Sequence, residues 1–575
     1  MPRLLPRLAF IVFTVSSFLS VGWSLQKDTT KNPITREMVA NAEKLMGLSF
    51  TDVKRDSMLD GLKEQLGNYE KIRTVRLANS VPPAILFNPI PVGVKFETNR
   101  KPFKMSDPGK VKVPTNIEDL AFYSVSQLSK LIKSRQITSE QLTRMYLDRL
   151  KKYGPKLECV IALTEDLATK QAKRADEEIA AGKYRGPLHG IPYGAKDLLA
   201  TKGIRTTWGS VPYKDQVIDE DATVIKRLEE AGAVLVAKLT LGELAWGDVW
   251  YGGMTRNPWN LKQGSSGSSA GSAAATAAGM VAFSIGTETW GSIVSPSTRC
   301  GTTGLRPTYG RVSRKGAMAL AWSMDKIGPI CRTVEDCALV FNAIYGPDGE
   351  DQTVYDAPFN YNPDVKLSDL RIGYLKTDFD SAKSNKANND STLAVLRCLG
   401  AKLTPIELPK LPINDLTIIL GAEAGAAFDE LTRSGKDDLL VRQIKDAWPN
   451  AFRLSRFIPA VEYIQANRIR YLVIQEMARI MKDMDVYVAP SFGGDNLLLT
   501  NLTGHPCVVL PNGFSKEGQP VPILPTSRDR EDLAGTPTSI SFTGKLFGEA
   551  ELLAVSKAYQ DATDFHLKHP ILSEK

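Results

Sequence analysis

The stretch from Gly264 to Gly304 constrains the fold more than any other part of the chain. It reads GSSGSSAGSAAATAAGMVAFSIGTETWGSIVSPSTRCGTTG. A flexible glycine–serine linker repeats without direction and has no apolar run. Here a serine-rich loop leads into AAATAAGM, then into VAFSIG, and then into a second glycine–serine loop. The pattern predicts a loop, a helix of small residues, a buried strand and another loop.

Each of the two loops carries a serine that is a candidate for chemistry. Ser268 lies in the first loop and Ser292 at the equivalent point of the second. Small side chains let backbone segments approach closely and leave main-chain N–H groups free to point at an anion or an oxyanion. A serine nucleophile needs a base, and the chain has only 4 histidines. Lys196 follows an apolar, strand-like run, and a lysine held neutral by burial is the available alternative.

Three motifs, IPYGAKD, GSSAGSAAATAAG and GTETWGSI, resemble the amidase signature family in order and spacing. The similarity runs from about Phe122 to about His569 and includes RCGTTGLRPTYGRVS and NLTGHPCVVLPNGF. It implies one large amidase domain over residues 119–572. Its implied fold is α/β, with a mixed β-sheet covered by α-helices on both faces.

The resemblance also implies a mechanism, in which Ser292 attacks the carbonyl of a small carboxamide and becomes acylated. Ser268 bridges Ser292 to neutral Lys196 and returns a proton to the departing amine. Water then releases a carboxylate, and this hydrolysis of a non-peptide C–N bond requires neither a metal nor a cofactor. The implied oxyanion hole consists of the backbone N–H groups of Thr289, Trp290, Gly291 and Ser292.

The chain departs from the family pattern beside the nucleophile. Trp290 and Gly291 stand where the family usually has two glycines, and Val294 stands where an arginine commonly follows. Trp290 still offers its backbone N–H. We expect its indole either to narrow the acyl pocket or to fill the space left by Val294.

The remaining polar and aromatic residues near the motifs are predicted to be structural. His189 lies in an apolar loop, where a lone histidine is more often structural than catalytic. Asp197 is expected to orient or partner the neighbourhood of Lys196 without a direct chemical role. Loop shaping or capping is predicted for Asn257, Pro258, Trp259, Ser265, Ser266, Ser269 and Ser272. Core packing, ahead of an acyl pocket, is predicted for Phe428, Trp448, Phe452, Phe457 and Tyr463.

The N-terminus has the pattern of an export signal. Arg3 and Arg7 precede an uncharged run from Leu8 to Leu25, with small residues near its end. We predict a signal peptide over residues 1–24 and a periplasmic or secreted protein. The alternative is an uncleaved membrane anchor, for which the run is at the lower limit of length.

Residues 25–118 are predicted to be a helical and extended N-terminal extension. Two segments show apolar residues at helical spacing, and VPPAILFNPIPVG then reads as a proline-rich connector. The extension can cover the active-site mouth, form an oligomer interface, or pack on the flank of the catalytic domain. We favour packing on the flank.

Charge and cysteine content exclude several classes of partner and site. The formal charge is +8, but Lys and Arg are interspersed with Asp and Glu throughout, which is typical of a solvated surface rather than a nucleic-acid interface. The 6 cysteines show no CxxC spacing and no cluster with histidine, so we expect small buried residues rather than metal ligands.

Three functions fit these observations. The first is an exported hydrolase of small carboxamides, with a small-molecule amide as partner, no stable membrane insertion after signal cleavage, and an oligomer of identical chains left open. The second is a glutamine amidohydrolase similar to the glutaminase component of a tRNA-dependent amidotransferase. The third is a catalytically silent scaffold with an amidase fold. The intact Lys196, Ser268 and Ser292 count against the third.

Overall fold

A computed structural model describes residues 33–382, 384–516 and 534–572. The chain divides into two compact units, of which the first ends at Leu77 and the second begins at Ala78. The predicted signal peptide, residues 1–24, lies outside the described residues, as does the run considered as a membrane anchor. Within the described ranges, no helix is both long and apolar enough to cross a membrane.

The first unit contains two helices, α1 (Arg36–Met46) and α2 (Asp52–Ile72), as the apolar spacing predicts. The Thr35 hydroxyl caps α1 by accepting a hydrogen bond from the Met38 N–H at 3.2 Å. Gly47 ends α1 with a φ of 66°, a conformation that favours glycine. An ion pair of 2.8 Å joins Glu43 on α1 to Arg55 on α2.

The second unit is built on strands β1 to β15. In chain order these are Val160–Leu163, Pro192–Lys196, Val234–Leu239, Val249–Trp250, Gly253–Met254, Arg256–Asn257, Asn260–Gly264, Phe283–Glu288, Thr303–Arg306, Lys326–Cys331, Ile372–Leu375, Leu403–Ile406, Val486–Pro490, Cys507–Phe514 and Pro537–Gly544. β4 pairs with β5 and β6 with β7 as two short hairpins outside the main sheet.

Helices surround this sheet. In chain order, α3 to α17 are Val125–Lys133, Ser139–Leu157, Glu165–Ala180, Thr223–Glu230, Ala270–Ala277, Val294–Cys300, Val334–Ile344, Lys376–Ser381, Lys386–Cys398, Ile418–Ala427, Asp429–Arg433, Trp448–Ser455, Ala460–Met481, Asn496–Thr503 and Glu549–Asp561. Short 3-10 helices lie at Ile117–Phe122, Val211–Tyr213, Glu243–Ala245, Leu367–Asp369, Asn414–Thr417, Lys436–Leu439 and Phe565–Leu567.

The main sheet has 11 strands among the described residues, in the order β1-β3-β2-β8-β10-β9-β14-β15-β13-β11-β12. The pairs β3/β2, β2/β8, β13/β11 and β11/β12 are parallel. The other six pairs are antiparallel. The prediction of a mixed sheet flanked by helices is therefore confirmed.

The small-residue helix α7 lies directly against the sheet. All its residues are buried, and a side chain at Gly271 would come within 2.5 Å of both the Cys159 carbonyl and the Thr240 backbone. Larger residues would push the helix away from β3 and β8, because buried atoms in a close-packed interior leave no room. The small residues of AGSAAATA therefore let α7 pack close to the sheet, and this places the loop before α7 close to the sheet as well.

The sheet also explains why the sequence motifs converge. β2 and β8 are parallel neighbours, with Ala195 opposite Ile285. Their carboxyl ends, Lys196 and Glu288, therefore meet at one edge, where open α/β sheets commonly place their sites. The serine loops lead into α7 and α8 at this edge.

The six cysteines are free thiols in the structure. Five are buried, as the sequence predicts, but Cys398 at the end of α11 is exposed. Its position in the last turn of an amphipathic surface helix explains the difference.

Candidate active site

Lys196 is completely buried at the end of β2 and contacts three hydroxyl groups. Its Nζ lies 2.8 Å from Ser268 Oγ, 2.9 Å from Thr287 Oγ1 and 3.2 Å from Ser269 Oγ. Three hydroxyls around one amine can satisfy all three hydrogen-bonding positions of a neutral NH₂ group, because that group donates two bonds and accepts one. The pairing of Lys196 with Ser268 is the contact that the proposed proton relay needs.

The surroundings of Lys196 lower its pKa to about 7. Burial is the main cause, since removal from water disfavours the ammonium form. The charges of Asp325 and Glu288 act in the opposite direction. A large fraction of Lys196 is therefore neutral near pH 7 and able to accept a proton.

Ser269 shapes its loop, as predicted, and is also part of the network around Lys196, which the sequence did not indicate. Its hydroxyl lies 3.0 Å from the Thr287 carbonyl, to which it donates, and accepts from the Thr287 N–H at 3.1 Å. Because the Ser269 proton is committed to that carbonyl, Ser269 faces Lys196 as an acceptor. Ser269 occupies the N-cap position of α7, but its side chain makes no capping bond.

The loop carrying Ser268 is held by tight backbone contacts. The peptide bond between Gly267 and Ser268 is cis. A side chain at Gly267 would lie 1.8 Å from the Gly247 carbonyl oxygen, which no residue other than glycine can accommodate. The Ser266 N–H donates to the buried carboxylate of Asp248 at 2.9 Å.

Ser292 lies on the turn between β8 and α8, and its carbonyl accepts a 3.2 Å hydrogen bond from the Ser269 N–H. This bond ties the two serine loops together. Gly291 has a φ of 83°, which favours glycine, and an added side chain would lie 3.1 Å from Ser295 Oγ. The Ser292 hydroxyl has no hydrogen-bond partner among the described residues, so its pairing with Ser268 remains a prediction.

A buried carboxylate, Glu288, organises the turn around Ser292. One oxygen accepts from the N–H groups of Ile293 and Val294, at 2.8 and 3.0 Å. The other accepts from Arg306 at 2.7 Å and from the Asn501 amide at 2.8 Å. The guanidinium and these donors outweigh burial and lower the pKa of Glu288 to about 2. Glu288 is thus a charged anchor under the turn that carries Ser292.

Sequence reasoning missed this anchor. It noted the lack of an arginine at Val294, whereas Arg306, from β9, supplies a guanidinium to the same turn. Val294 instead packs in a small apolar cluster with Cys507, Val509, Phe492 and Leu497. The Trp290 side chain is 44% exposed. The expectation that its indole narrows the acyl pocket or fills the space beside Val294 stays a prediction.

The predicted oxyanion hole lies on the same turn. The backbone N–H groups of residues 289–292 donate to no acceptor in the part of the chain that the structure describes. Thr289 is fixed by its hydroxyl, which donates to Asp325 at 2.6 Å. N–H groups that have no acceptor and lie on a turn held by hydrogen bonds can stabilise an oxyanion. The assignment of individual donors remains a prediction.

Other candidates lie away from the reacting groups. Asp197 pairs with Lys238 at 3.0 Å and accepts from Thr207, so it does not partner Lys196. His189 is buried beside Glu178 at 3.2 Å, in keeping with a structural role. Asn257 and Trp259 shape their turn through a 3.1 Å bond from the Trp259 N–H to the Asn257 side chain.

A cavity of about 370 Å³ adjoins the site. Thr287 and Thr289 form part of its wall, whereas Ser268 and Ser292 do not line it. The aromatic residues from the segment after Tyr361 do not line it either; Phe428 and Phe452 are buried in the core, as predicted, whereas Phe457 is exposed. The wall includes eight residues of the N-terminal extension between Asn79 and Phe87. That segment therefore reaches the cavity beside the candidate site. Further along the extension, the N–H groups of Lys101 and Ser106 donate to Asn360 and Glu335, which is the packing on the domain that we favour.

Comparisons with known proteins agree with this geometry. The family model described as Amidase matches residues 141–553. The A component of glutamyl-tRNA(Gln) amidotransferase from Carboxydothermus hydrogenoformans is 32% identical, over 79% of this chain and 100% of that protein.

Two solved structures are similar in fold. The native peptide amidase from Stenotrophomonas maltophilia has 28% identity and a TM-score of 0.67, over 77% of this chain and 97% of that one. The A component of glutamyl-tRNA(Gln) amidotransferase from Thermotoga maritima has 25% identity and a TM-score of 0.62, over 79% of this chain and 96% of that one. The extent of the family match, together with these relatives, shows that the chain belongs to the amidase signature family.

Proposed function

We propose that the protein hydrolyses carboxamides through an acyl-enzyme on Ser292. The observation that carries the proposal is the 2.8 Å contact between Ser268 and a fully buried Lys196 whose pKa is about 7. A serine beside a base that can be neutral at working pH is an activated proton relay.

The reaction then follows in two halves. Ser292 attacks the amide carbonyl, its proton passes to Ser268, and Ser268 passes its own proton to Lys196. The relay returns a proton to the departing nitrogen, which leaves as ammonia or an amine. Water attacks the acyl-enzyme with the same groups acting as base, and the carboxylate leaves. The N–H groups of residues 289–292 stabilise the oxyanion in both halves.

For the acyl donor, the curated relatives favour glutamine. Several are A components of glutamyl-tRNA(Gln) amidotransferase, 32 to 34% identical over 98 to 100% of their lengths. In such a role the chain would release ammonia from glutamine and work with further protein components. The predicted export signal counts against that role, because a tRNA-dependent amidotransferase acts in the cytoplasm.

Glutamine is the first candidate acyl donor. The second candidate is a small carboxamide, which the protein would hydrolyse. Its support is the similarity to the peptide amidase and the cavity beside Thr287 and Thr289. Export through residues 1–24 also belongs to this proposal, and cell fractionation with N-terminal sequencing of the mature protein tests it directly.

The test of the catalytic assignment needs no knowledge of the substrate. The protein is treated with a fluorophosphonate and mapped by mass spectrometry, beside Ser292→Ala and Lys196→Ala variants. One adduct on Ser292, absent in Ser292→Ala and slowed at least 100-fold in Lys196→Ala, is expected from the loss of the general base (about 10²–10⁴-fold). An adduct on another serine would refute the assignment. No adduct on a folded protein would favour the scaffold role.

A second assay separates the two acyl donors. Ammonia release is measured from glutamine and from neutral carboxamides with the purified chain alone. Turnover of glutamine that appears only after addition of a partner protein would establish the amidotransferase role. Turnover of neutral carboxamides without any partner would establish the hydrolase.

A further inference from the structure

The segment from Asn79 to Phe87, here called the arm, lies outside the part of the chain that the family model matches. Nevertheless it forms one wall of the cavity beside the active site. The cavity volume of about 370 Å³ is within the usual range of roughly 300–1,000 Å³ for small-molecule sites. A wall contributed by a segment outside the matched family region is a natural determinant of specificity.

The arm is fixed at both of its ends. Asn79 forms two hydrogen bonds with the backbone of Ala319, donating to its carbonyl at 2.9 Å and accepting from its N–H at 2.7 Å. At the other end, the Phe87 ring meets the Tyr309 ring edge-on at 5.0 Å. The buried guanidinium of Arg470 lies 3.5 Å from the centroid of the Phe87 ring. These anchors hold the intervening residues in place over the cavity.

Between the anchors the arm presents apolar side chains. Pro82 and Pro83 restrict the backbone, and Ala84, Ile85 and Leu86 follow them along the wall. Ile85 is 77% exposed and Leu86 is 49% exposed, so neither side chain is buried in the core. They are available to cover an apolar ligand, which would remove their surface from water.

The ionisable groups in the rest of the wall are already engaged. Arg314 bonds Asp351 and Thr353, at 3.2 and 2.8 Å. Lys315 pairs with Glu220 at 3.1 Å and with Glu350 at 3.6 Å. Asp325 accepts from the Thr289 hydroxyl and from the N–H groups of Leu320 and Ala321. The Lys326 amine donates to the Met324 carbonyl.

A charged ligand would therefore lose hydration in this cavity without gaining a new partner, which is costly. Free glutamine carries both an ammonium and a carboxylate. An uncharged hydrocarbon chain carries neither. Because the charged groups of the wall are already paired, the cavity favours an uncharged acyl chain over free glutamine, and these are the two acyl donors that the proposed function leaves open.

The reaction geometry identifies which part of a substrate would enter. Thr287, which contacts Lys196, and Thr289, which begins the oxyanion turn, border the cavity, whereas the two catalytic serines do not. The reacting carbonyl therefore stays outside and a substituent enters. In a primary carboxamide the leaving group is ammonia, so that substituent belongs to the acyl part.

We propose that the arm is the specificity-determining wall of the acyl pocket, and that the substrates are primary carboxamides with an uncharged, apolar acyl chain. This inference rests on the proposed amide hydrolysis at Ser292. It assigns Ile85 and Leu86 to contact with the acyl chain.

The test compares kcat/KM for acetamide, hexanamide and glutamine in the full chain and in Ile85→Ala and Leu86→Ala. The unchanged protein should have a kcat/KM for hexanamide that is at least about tenfold above those for acetamide and glutamine. One additional methylene in an apolar pocket changes kcat/KM by about 10- to 200-fold. Each arm variant should lower the ratio of hexanamide to acetamide turnover about fivefold or more. Val92→Ala is the matched control, because Val92 is an exposed apolar residue of the same extension, 80% exposed, that does not line the cavity.

The outcomes separate this inference from the proposed function. If Ser292 is labelled by the fluorophosphonate but glutamine is preferred, or the chain-length ratio is the same in the arm variants and in Val92→Ala, the inference is wrong and amide hydrolysis stands. If Ser292 is not labelled and no amide is turned over, the proposed function fails and the inference fails with it. Because Ile85 and Leu86 are exposed, loss of folding in their variants is not expected, and thermal unfolding checks this.

Discussion

Replacing Glu288 by glutamine tests whether the buried carboxylate anchors the nucleophile turn. The side chain is completely buried and accepts four hydrogen bonds, one of them from the equally buried Arg306. A folded-state pKa of about 2 against an ordinary 4.5 corresponds to about 3 kcal/mol in favour of the folded state. Breaking a buried ion pair by removing one partner typically costs about 3–5 kcal/mol, so both routes give a similar loss.

The pH dependence of this loss has a definite sign. Because the folded-state pKa is depressed, the contribution of Glu288 is fully present above its ordinary pKa and disappears as the pH falls toward about 2. The difference in unfolding free energy between the unchanged protein and Glu288→Gln should therefore be largest above about pH 5 and shrink on acidification. Urea denaturation at a series of pH values measures it.

A matched control is available in another buried pair, Arg311 and Glu549, both fully inaccessible and 3.3 Å apart. Glu549→Gln should also destabilise the fold by several kcal/mol, about 3–5. Fluorophosphonate labelling of the folded fraction should slow about tenfold or more only in Glu288→Gln, because only Glu288 holds the N–H groups that follow Ser292. A loss of stability below about 1 kcal/mol in Glu288→Gln, or equal labelling rates in the two variants, would refute the role of Glu288 as the anchor of the turn.

Four further predictions follow from single contacts. The kcat/KM for amide hydrolysis should fall about tenfold per pH unit below about pH 7 and level off above it, because Lys196, whose pKa is about 7, must be neutral to act as base. Lys196→Arg should abolish the activity and with it this pH dependence. Ser269→Ala should slow Ser292 labelling about tenfold, since it removes a hydrogen bond to Lys196 and leaves the partly buried Thr287 N–H without its acceptor. Gly267→Ala should destabilise the fold by about 3 kcal/mol or more because of the clash with the Gly247 carbonyl, whereas Gly61→Ala, which meets nothing within 4 Å, should not. An aromatic disulfide reagent should modify one thiol rapidly in the folded protein, Cys398, because the other five are buried.

The sequence was sufficient to predict features that are carried by short motifs. Lys196, Ser268 and Ser292 each lie in a local pattern of glycine, serine and apolar residues. The two N-terminal helices follow from apolar spacing alone.

Features that depend on contacts between distant segments could not be predicted in this way. The Glu288 carboxylate accepts hydrogen bonds from Arg306, which lies on another strand, and from Asn501, which lies on a helix 213 positions further along the chain. The arm was recognised as proline-rich, but its anchor on Ala319, 240 positions away, decides that it lines the cavity. Ser268 and Ser269 are equivalent letters in the sequence, and only the loop geometry shows that both reach Lys196.

Two buried lysines on neighbouring strands show how partners decide the role of a residue. Lys196 and Lys238 lie at the ends of β2 and β3, and both are fully buried. Lys238 has the carboxylate of Asp197 at 3.0 Å, so it forms a structural ion pair. Among the described residues, only hydroxyl groups lie within hydrogen-bond distance of the Lys196 amine, and therefore none of these contacts compensates a positive charge. Burial thus favours the neutral amine at Lys196 and leaves it able to take the proton of Ser268. A carboxylate placed at Ser269 would convert Lys196 into a second Lys238 and remove the base without removing the lysine.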